Sequence, residues 1–249
     1  MWISGAVALV TGANRGLGAS FTQALLARGA ATVYAAARDA SMVSVTDPRV
    51  KPIDLDITDR AAVAAVAQRC GDVDLLVNNA GAMLLGPLIT APDTGAARTE
   101  MEVNYFGTLE MCRAFAPVLA RNGGGALVNM LSVVSWYTVP FNASYCASKS
   151  AEWALTNAAR VELHGQGTHV VGVHAGFIDT DMAADVSEAK IAPEDVVAQA
   201  LDAVENNVTE VITDEWTRHV KSTLPVDQEE LYPDLRRAWA AGASPWGRD

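Results

Sequence analysis

Short apolar runs bounded by polar residues or glycine recur along the chain, and most are followed by a stretch in which apolar positions return every three to four residues. The first pattern suits a buried strand, the second an amphipathic helix. Their alternation predicts a β-α-β-α order, and hence a parallel sheet with helices on both faces. Strands are expected at 6–10, 32–36, 50–54, 73–77, 126–131, 169–174 and 210–213. Helices are expected at 19–28, 59–69, 96–120, 144–163 and 193–205; the last opens on Pro193 followed by acids, which suits a helix start. Gly29 falls where a left-handed cap would close the first helix, and Gly123-Gly124-Gly125 breaks the chain before the fifth strand. Two more amphipathic stretches, 215–224 and 228–239, precede an end containing Gly and Pro that is expected to be mobile. With no interior linker, repeat or low-complexity block, residues 1–249 read as one domain.

Composition narrows the function classes. The chain has 249 residues, 18 Lys plus Arg against 29 Asp plus Glu, and a net charge of −11. Half of it is apolar and 19% is charged, which excludes a disordered or purely charged-helical protein. The acidic balance argues against nucleic acid or an anionic membrane as a partner, since both need dense Lys/Arg patches. Cys70, Cys112 and Cys146 fit neither a disulfide framework nor a metal-binding pair, so a reducing, cytoplasmic setting is expected. His164, His169 and His174 are spaced by five, which puts the last two on opposite faces of a strand and disfavours a metal site. Neither a secretion signal nor a membrane span is expected from the N-terminal run, which is far shorter than roughly 20 residues.

Thr11-Gly12-Ala13-Asn14-Arg15-Gly16-Leu17-Gly18 lies between the first strand and first helix, where missing side chains let the backbone approach a pyrophosphate at the helix N-terminus. Its T-G-x-x-x-G-x-G spacing resembles the cofactor turn of the short-chain dehydrogenase/reductase family. Other motifs follow in that family's order: Asp56-Ile57 after the third strand, Asn78-Asn79-Ala80-Gly81 ending the fourth, then Asn104, Ser132, Tyr145 and Lys149. The resemblance runs from Val7 to about Met182. It implies a Rossmann-type, doubly wound α/β fold, a three-layer sandwich of about seven strands, and a homodimer or homotetramer. It also implies cofactor contacts from Gly12, Asn14, Arg15, Gly16, Leu17, Gly18, Arg38, Asp56, Ile57, Asn79, Ala80, Gly81, Tyr145, Lys149, Gly176, Ile178 and Thr180.

NAD sites of this kind usually place an acid at the end of the second strand, where it accepts from the ribose hydroxyls and repels a 2′-phosphate. Here that strand ends Ala35-Ala36-Ala37-Arg38, with no acid at the expected position near Ala37 and a cation directly after it, and Arg15 lies in the glycine turn. Two guanidiniums can grip a phosphate bidentately, so NADP(H) is the expected cofactor and NAD(H) the alternative; Asp39 is a mild counter-signal.

Tyr145 and Lys149, four apart on an expected helix, share one face. A nearby ammonium favours the phenolate, so Lys149 is expected to lower the Tyr145 pKa from near ~10 toward working pH. The resemblance implies that Ser132 and Tyr145 bind a carbonyl oxygen, that Tyr145 gives it a proton, that Lys149 also holds the nicotinamide ribose, and that Asn104 anchors a water. The family's usual P-G step reads Ala175-Gly176 here, which is expected to loosen that backbone. A short substrate cap around 181–206, with a C-terminal tail around 214–249, predicts a comparatively open site. Met83, Trp136, Tyr137, Phe177 and Met182 flank the motifs and are candidates for an apolar pocket.

The leading expectation is therefore a carbonyl reductase or alcohol dehydrogenase working with NADP(H) on a small-molecule carbonyl or secondary alcohol. The competing class is a dinucleotide-binding regulator without catalysis, for which a tyrosine–lysine pair has no use. Within the enzyme class, a 3-oxoacyl-(acyl-carrier-protein) reductase or a steroid dehydrogenase remains open, while a sugar-nucleotide epimerase would need a longer C-terminal region.

Overall fold

The computed structural model describes residues 1–245. Seven strands, β1 (Val7–Thr11), β2 (Thr32–Ala37), β3 (Val50–Asp54), β4 (Leu75–Asn78), β5 (Ala126–Met130), β6 (His169–His174) and β7 (Glu210–Ile212), form one parallel sheet. Their order is β3-β2-β1-β4-β5-β6-β7. The chain runs outward from β1 to β3 and then returns to the far side of β1, so a crevice opens where the carboxyl ends of β1 and β4 diverge. Pro52 is tolerated because β3 is an edge strand.

Side-chain alternation along β1 divides the core. Ala8 and Val10 point to one face with Phe21 and Leu25 of α1 (Gly16–Ala27) and Val197 and Leu201 of α6 (Pro193–Glu205). Leu9 points to the other, with Val63 and Val66 of α2 (Arg60–Arg69), Phe115 of α4 (Thr108–Arg121) and Ala159 of α5 (Ala143–Glu162). Asp59 caps α2 through the Ala61 and Ala62 amides. The long helix expected at 96–120 is continuous but not uniform: α3 (Gly95–Glu100) and α4 are joined by π-helical turns at Met101–Gly107, which include Asn104. Such wide turns inside helices recur at functional sites.

The expected cap and the expected open site need correction. Residues 193–205 form no cap, because α6 packs into the core beside α1; only 177–192 overhang the crevice, with Ile178 bridged to Ile191. The C-terminal stretches are ordered as α7 (Glu215–Thr223), α8 (Asp227–Glu230) and α9 (Tyr232–Ala241). They fold back over the site through a third apolar cluster, in which Val220, Leu231 and Leu235 meet Val133, Val134, Tyr137 and Val139. The mobile end expected after α9 falls partly on residues 246–249, which lie outside the described residues.

Candidate active site

The glycine turn is held by the end of β4. Thr11 Oγ1 accepts from the Asn79 and Ala80 amides, both at 3.0 Å, and Asn79 Nδ2 donates to the Thr11 carbonyl at 2.9 Å. That closeness explains two glycines. Gly12 has φ +65°, and a Cβ there would lie 3.0 Å from Ala80 Cα; a Cβ on Gly18 would meet the Gly12 carbonyl oxygen at 2.1 Å. The helix N-terminus behind the turn has no side-chain cap, since Arg15 at the cap position makes no such bond. Its first amides are therefore available to an anion.

From this turn a cavity of about 1750 Å³ runs to the far side of the crevice. Of the residues expected to contact a cofactor, Gly12, Asn14, Arg15, Gly16, Leu17, Gly18, Arg38, Asp56, Ile57, Asn79, Ala80, Gly81, Tyr145, Lys149, Gly176, Ile178 and Thr180 all line it. A glycine cradle that no Cβ could enter, uncapped amides and a long cavity together fit a dinucleotide. The charged residues at its adenosine end are committed differently. Asp39 also lines the cavity, and its Oδ1 accepts from the Ser41 amide and hydroxyl, so one carboxylate oxygen is committed to capping a short turn. Asp56 accepts from the Thr58 amide and hydroxyl, which hold its carboxyl below the usual range, with Arg38 adding to the effect. Arg15 is paired with Asp181 at 3.0 Å, so the structure does not bring the two expected phosphate ligands together on their own.

Deeper in the cavity, Ser132, Tyr145 and Lys149 line one wall. Lys149 is buried; its Nζ donates to the Met130 carbonyl at 2.8 Å and to Glu152 Oε2 at 2.6 Å, and lies 5.8 Å from the Tyr145 ring centroid. Burial pulls the Lys149 pKa down, but the charge and hydrogen bond of Glu152 and the charge of Tyr145 together outweigh it and hold the ammonium above its usual value. The expected lowering of Tyr145 is not what the surroundings produce. Burial pushes the phenol up, Lys149 opposes it, and Glu152 adds to the rise, while Ser132 draws it down. The net direction is upward, because burial, which spacing along a helix does not reveal, outweighs the pull of the ammonium.

Asn104 stands behind this wall, fully buried. Its Oδ1 accepts from the Ala82 amide, and its Nδ2 donates to the Ala82 carbonyl and to Ser148 Oγ, each at 2.8 Å. Both amide hydrogens are thus committed to joining the end of β4 to α5.

Met83, Tyr137, Phe177 and Met182, the candidates for an apolar pocket, line the cavity, but Trp136 does not. Its indole stacks on His174, centroids 3.9 Å apart, with Lys221 Nζ 5.0 Å from the ring centre. His174 Nδ1 lies 3.1 Å from the Ser132 carbonyl, and since that oxygen only accepts, the imidazole donates there. Burial drives the His174 pKa down to about 3, so it is a neutral support for Ser132. Nor is the backbone at Ala175 left loose: its carbonyl accepts from Val133, and Asp214 Oδ2 accepts from the Gly176 amide at 2.9 Å.

Sequence reasoning missed Glu152, the supporting role of His174, Asp214, and the cover supplied by Trp216, Leu235 and Ala238, which also line the cavity. The three-residue step from Lys149 to Glu152 was visible, but burial of the pair was not. Among the described residues no group of three or more His, Cys, Asp or Glu is arranged to hold a metal, and the three cysteines are free and buried.

The short chain dehydrogenase family model matches residues 6–191, the whole span from the glycine turn through the Tyr145 helix to the overhanging loop. The chain belongs to that family. Its members use NAD(P)(H) as oxidoreductases acting on CH–OH groups. A short chain dehydrogenase from Burkholderia cenocepacia J2315, solved in complex with NADP, is 45% identical and superposes with a TM-score of 0.90 over 94% of this chain and 99% of its own. The ketoacyl reductase HetN of Nostoc sp. is 31% identical over 86% of this chain and 80% of its own length. Galactitol 2-dehydrogenase of Agrobacterium fabrum is 34% identical, over 72% and 73% respectively. The ketoacyl reductase and the galactitol dehydrogenase differ in substrate, so family membership leaves the substrate open.

Proposed function

We propose that this short-chain dehydrogenase is an NADP(H)-dependent reductase of apolar ketones or aldehydes, and in reverse a secondary-alcohol dehydrogenase, with Tyr145 as general acid and base. The observation that carries the reading is that the Ser132–Tyr145–Lys149 wall and the glycine cradle open on one continuous cavity. NADP(H), when bound, supplies or takes the hydride. Ser132 Oγ and the Tyr145 hydroxyl would both donate to the substrate oxygen, stabilising the charge that develops there, and Tyr145 would pass its proton to the alkoxide. Lys149 retains one N–H for the cavity after its bonds to Met130 and Glu152, which suits it to holding a ribose hydroxyl.

NADP(H) over NAD(H) is supported by Arg15 and Arg38 on the cavity wall and by the NADP complex of the Burkholderia cenocepacia relative. The Arg15–Asp181 pair is no obstacle. Both side chains are about 70% exposed, and such pairs contribute roughly 0–1 kcal/mol, less than a guanidinium gains from a phosphate. Met83, Tyr137, Phe177, Trp216 and Leu235 support a bulky apolar substrate. We further assign the protein to the cytoplasm as a homodimer or homotetramer. The free, buried cysteines support the first, and the exposed Phe106, Trp153 and Val161 on the outer helix layer support the second. No helix among the described residues is long and apolar enough to cross a membrane.

The test is a panel of carbonyls and secondary alcohols assayed with NADPH or NADP⁺ and with their NAD counterparts, using wild type and Tyr145→Phe. Turnover of bulky ketones with NADPH is expected, falling by at least about 10²-fold in Tyr145→Phe with NADPH binding intact. Unimpaired turnover by the variant would overturn the acid. NADPH binding without turnover of any panel member would favour a regulator.

A further inference from the structure

Tyr145, Lys149 and Glu152 form a stripe along one face of α5, at positions i, i+4 and i+7, so Lys149 stands between the other two and Glu152 lies about 10 Å along the axis from Tyr145. Glu152 is 1% exposed. Both of its oxygens face donors, Oε2 the Lys149 ammonium at 2.6 Å and Oε1 the Thr108 hydroxyl at 3.4 Å; burial raises the carboxyl, and these two donors oppose the rise. An unpaired carboxylate this deep would cost several kcal/mol, and the pairing falls on the lysine that opens toward the cavity.

Apart from the Glu100 carboxyl, the remaining groups around the stripe are uncharged. From α4, Thr108 is neutral and burial, helped by Glu152, pushes the Cys112 thiol up to about 12. From the π-helical turns Asn104 is neutral, and from β5 only the Met130 carbonyl and the Asn129 amide approach. His174 on β6 is neutral, and within α5 burial raises the Cys146 thiol to about 11. Glu100 of α3 packs against the start of α5, where burial raises its carboxyl. Lys149 and Glu152 are thus the close charges acting on Tyr145.

We propose that Glu152 is a positioning residue for this reaction: it keeps Lys149 charged and fixed beside the cavity, and withdraws part of that charge from Tyr145, so the proton-donating phenol persists to higher pH than Lys149 alone would allow. Reduction of carbonyls is thereby maintained across neutral pH, and oxidation of alcohols, which needs the phenolate, is confined to alkaline solution. The catalytic consequence rests on the reading of Tyr145 as the acid; the coupling of charges does not.

Glu152→Gln, which keeps the shape and one acceptor oxygen but removes the charge, tests it with two readouts. The first is the tyrosine titration by ultraviolet difference, isolating Tyr145 by subtracting the same titration in a Tyr145→Phe background. The second is the pH profile of kcat for alcohol oxidation with NADP⁺. The Tyr145 midpoint is expected to fall by about one pH unit in Glu152→Gln, with the oxidation profile moving the same way and about tenfold more phenolate at a given pH. Glu152→Asp should restore part of the difference. Superimposable titrations and profiles for wild type and Glu152→Gln would overturn the proposal. A titration that moves in a protein without turnover would uphold the coupling and overturn the proposed function instead. Should Glu152→Gln fail to fold, the wild type still decides. Its four lysines can be followed by NMR of the carbon next to each amino group. Lys149 is expected to keep its proton above the other three, and deprotonation with or below them would overturn the proposal.

Discussion

His174 shows how a single residue links the site to stability. Its imidazole is 1% exposed, stacked on Trp136 and bonded to the Ser132 carbonyl, and its pKa falls from 6.5 to about 3. Above pH 6.5 the folded and unfolded forms both hold it neutral, so it makes no pH-dependent contribution. As pH falls from 6.5 toward 3 the unfolded chain takes up a proton that the folded chain refuses, and stability is lost, by up to roughly 4 kcal/mol across the window. His174→Gln should flatten that part of the curve of unfolding free energy against pH; denaturant titrations at several pH values check it, and parallel curves would contradict it. Residues of this kind separate what spacing reveals from what it hides. The Tyr145–Lys149 face was readable because a helix fixes which side chains are neighbours. Trp136 was not, because it lies in a loop whose direction is decided by the stack on His174. Glu152 shared the readable face, yet its weight comes from having no water around it, which spacing alone does not reveal.

Among the elements, the β-α order was legible from end to end because each buried strand and each amphipathic helix must present an apolar face to the sheet. Strand boundaries agree to within about two residues. The C-terminal helices were legible as helices but not as a roof. Their amphipathicity says that one side is covered and leaves open by what; the covering surface is the loop from Val133 to Phe141, more than 70 residues earlier in the chain. Leu235 packs there and lines the cavity, and Trp239 lies against Phe141 at 5.2 Å between ring centroids. Leu235→Ala is therefore expected to raise KM for bulky apolar carbonyls about tenfold while KM for NADPH stays unchanged. Steady-state kinetics with each substrate varied in turn will show it, and equal effects on both would place α9 away from the substrate.

For the whole molecule, a net charge of −11 means that an anionic cofactor must be held by local groups against an unfavourable background. On the proposed reading, the uncapped start of α1 would serve any dinucleotide, whereas Arg38 would favour one with an extra phosphate. NADPH at about 100 times its Kd should stabilise the fold by about 2.7 kcal/mol, a rise in Tm of roughly 5–10 °C for a chain of this size. NADH at the same concentration should give clearly less, and Arg38→Asp should erase or reverse the difference. Equal shifts for both cofactors in the wild type would refute the phosphate assignment. The sequence by itself determined the sheet, the glycine turn and the Tyr145–Lys149 face, because periodicity and local spacing dictate which residues are neighbours, while Ser132 joined them through the family resemblance. Only the tertiary structure decided the charge partner of Lys149, the orientation of Trp136, the engagement of Arg15 by Asp181 and the roof over the substrate. Each of these depends on burial or on contact between segments remote in sequence, and neither is written in any local pattern.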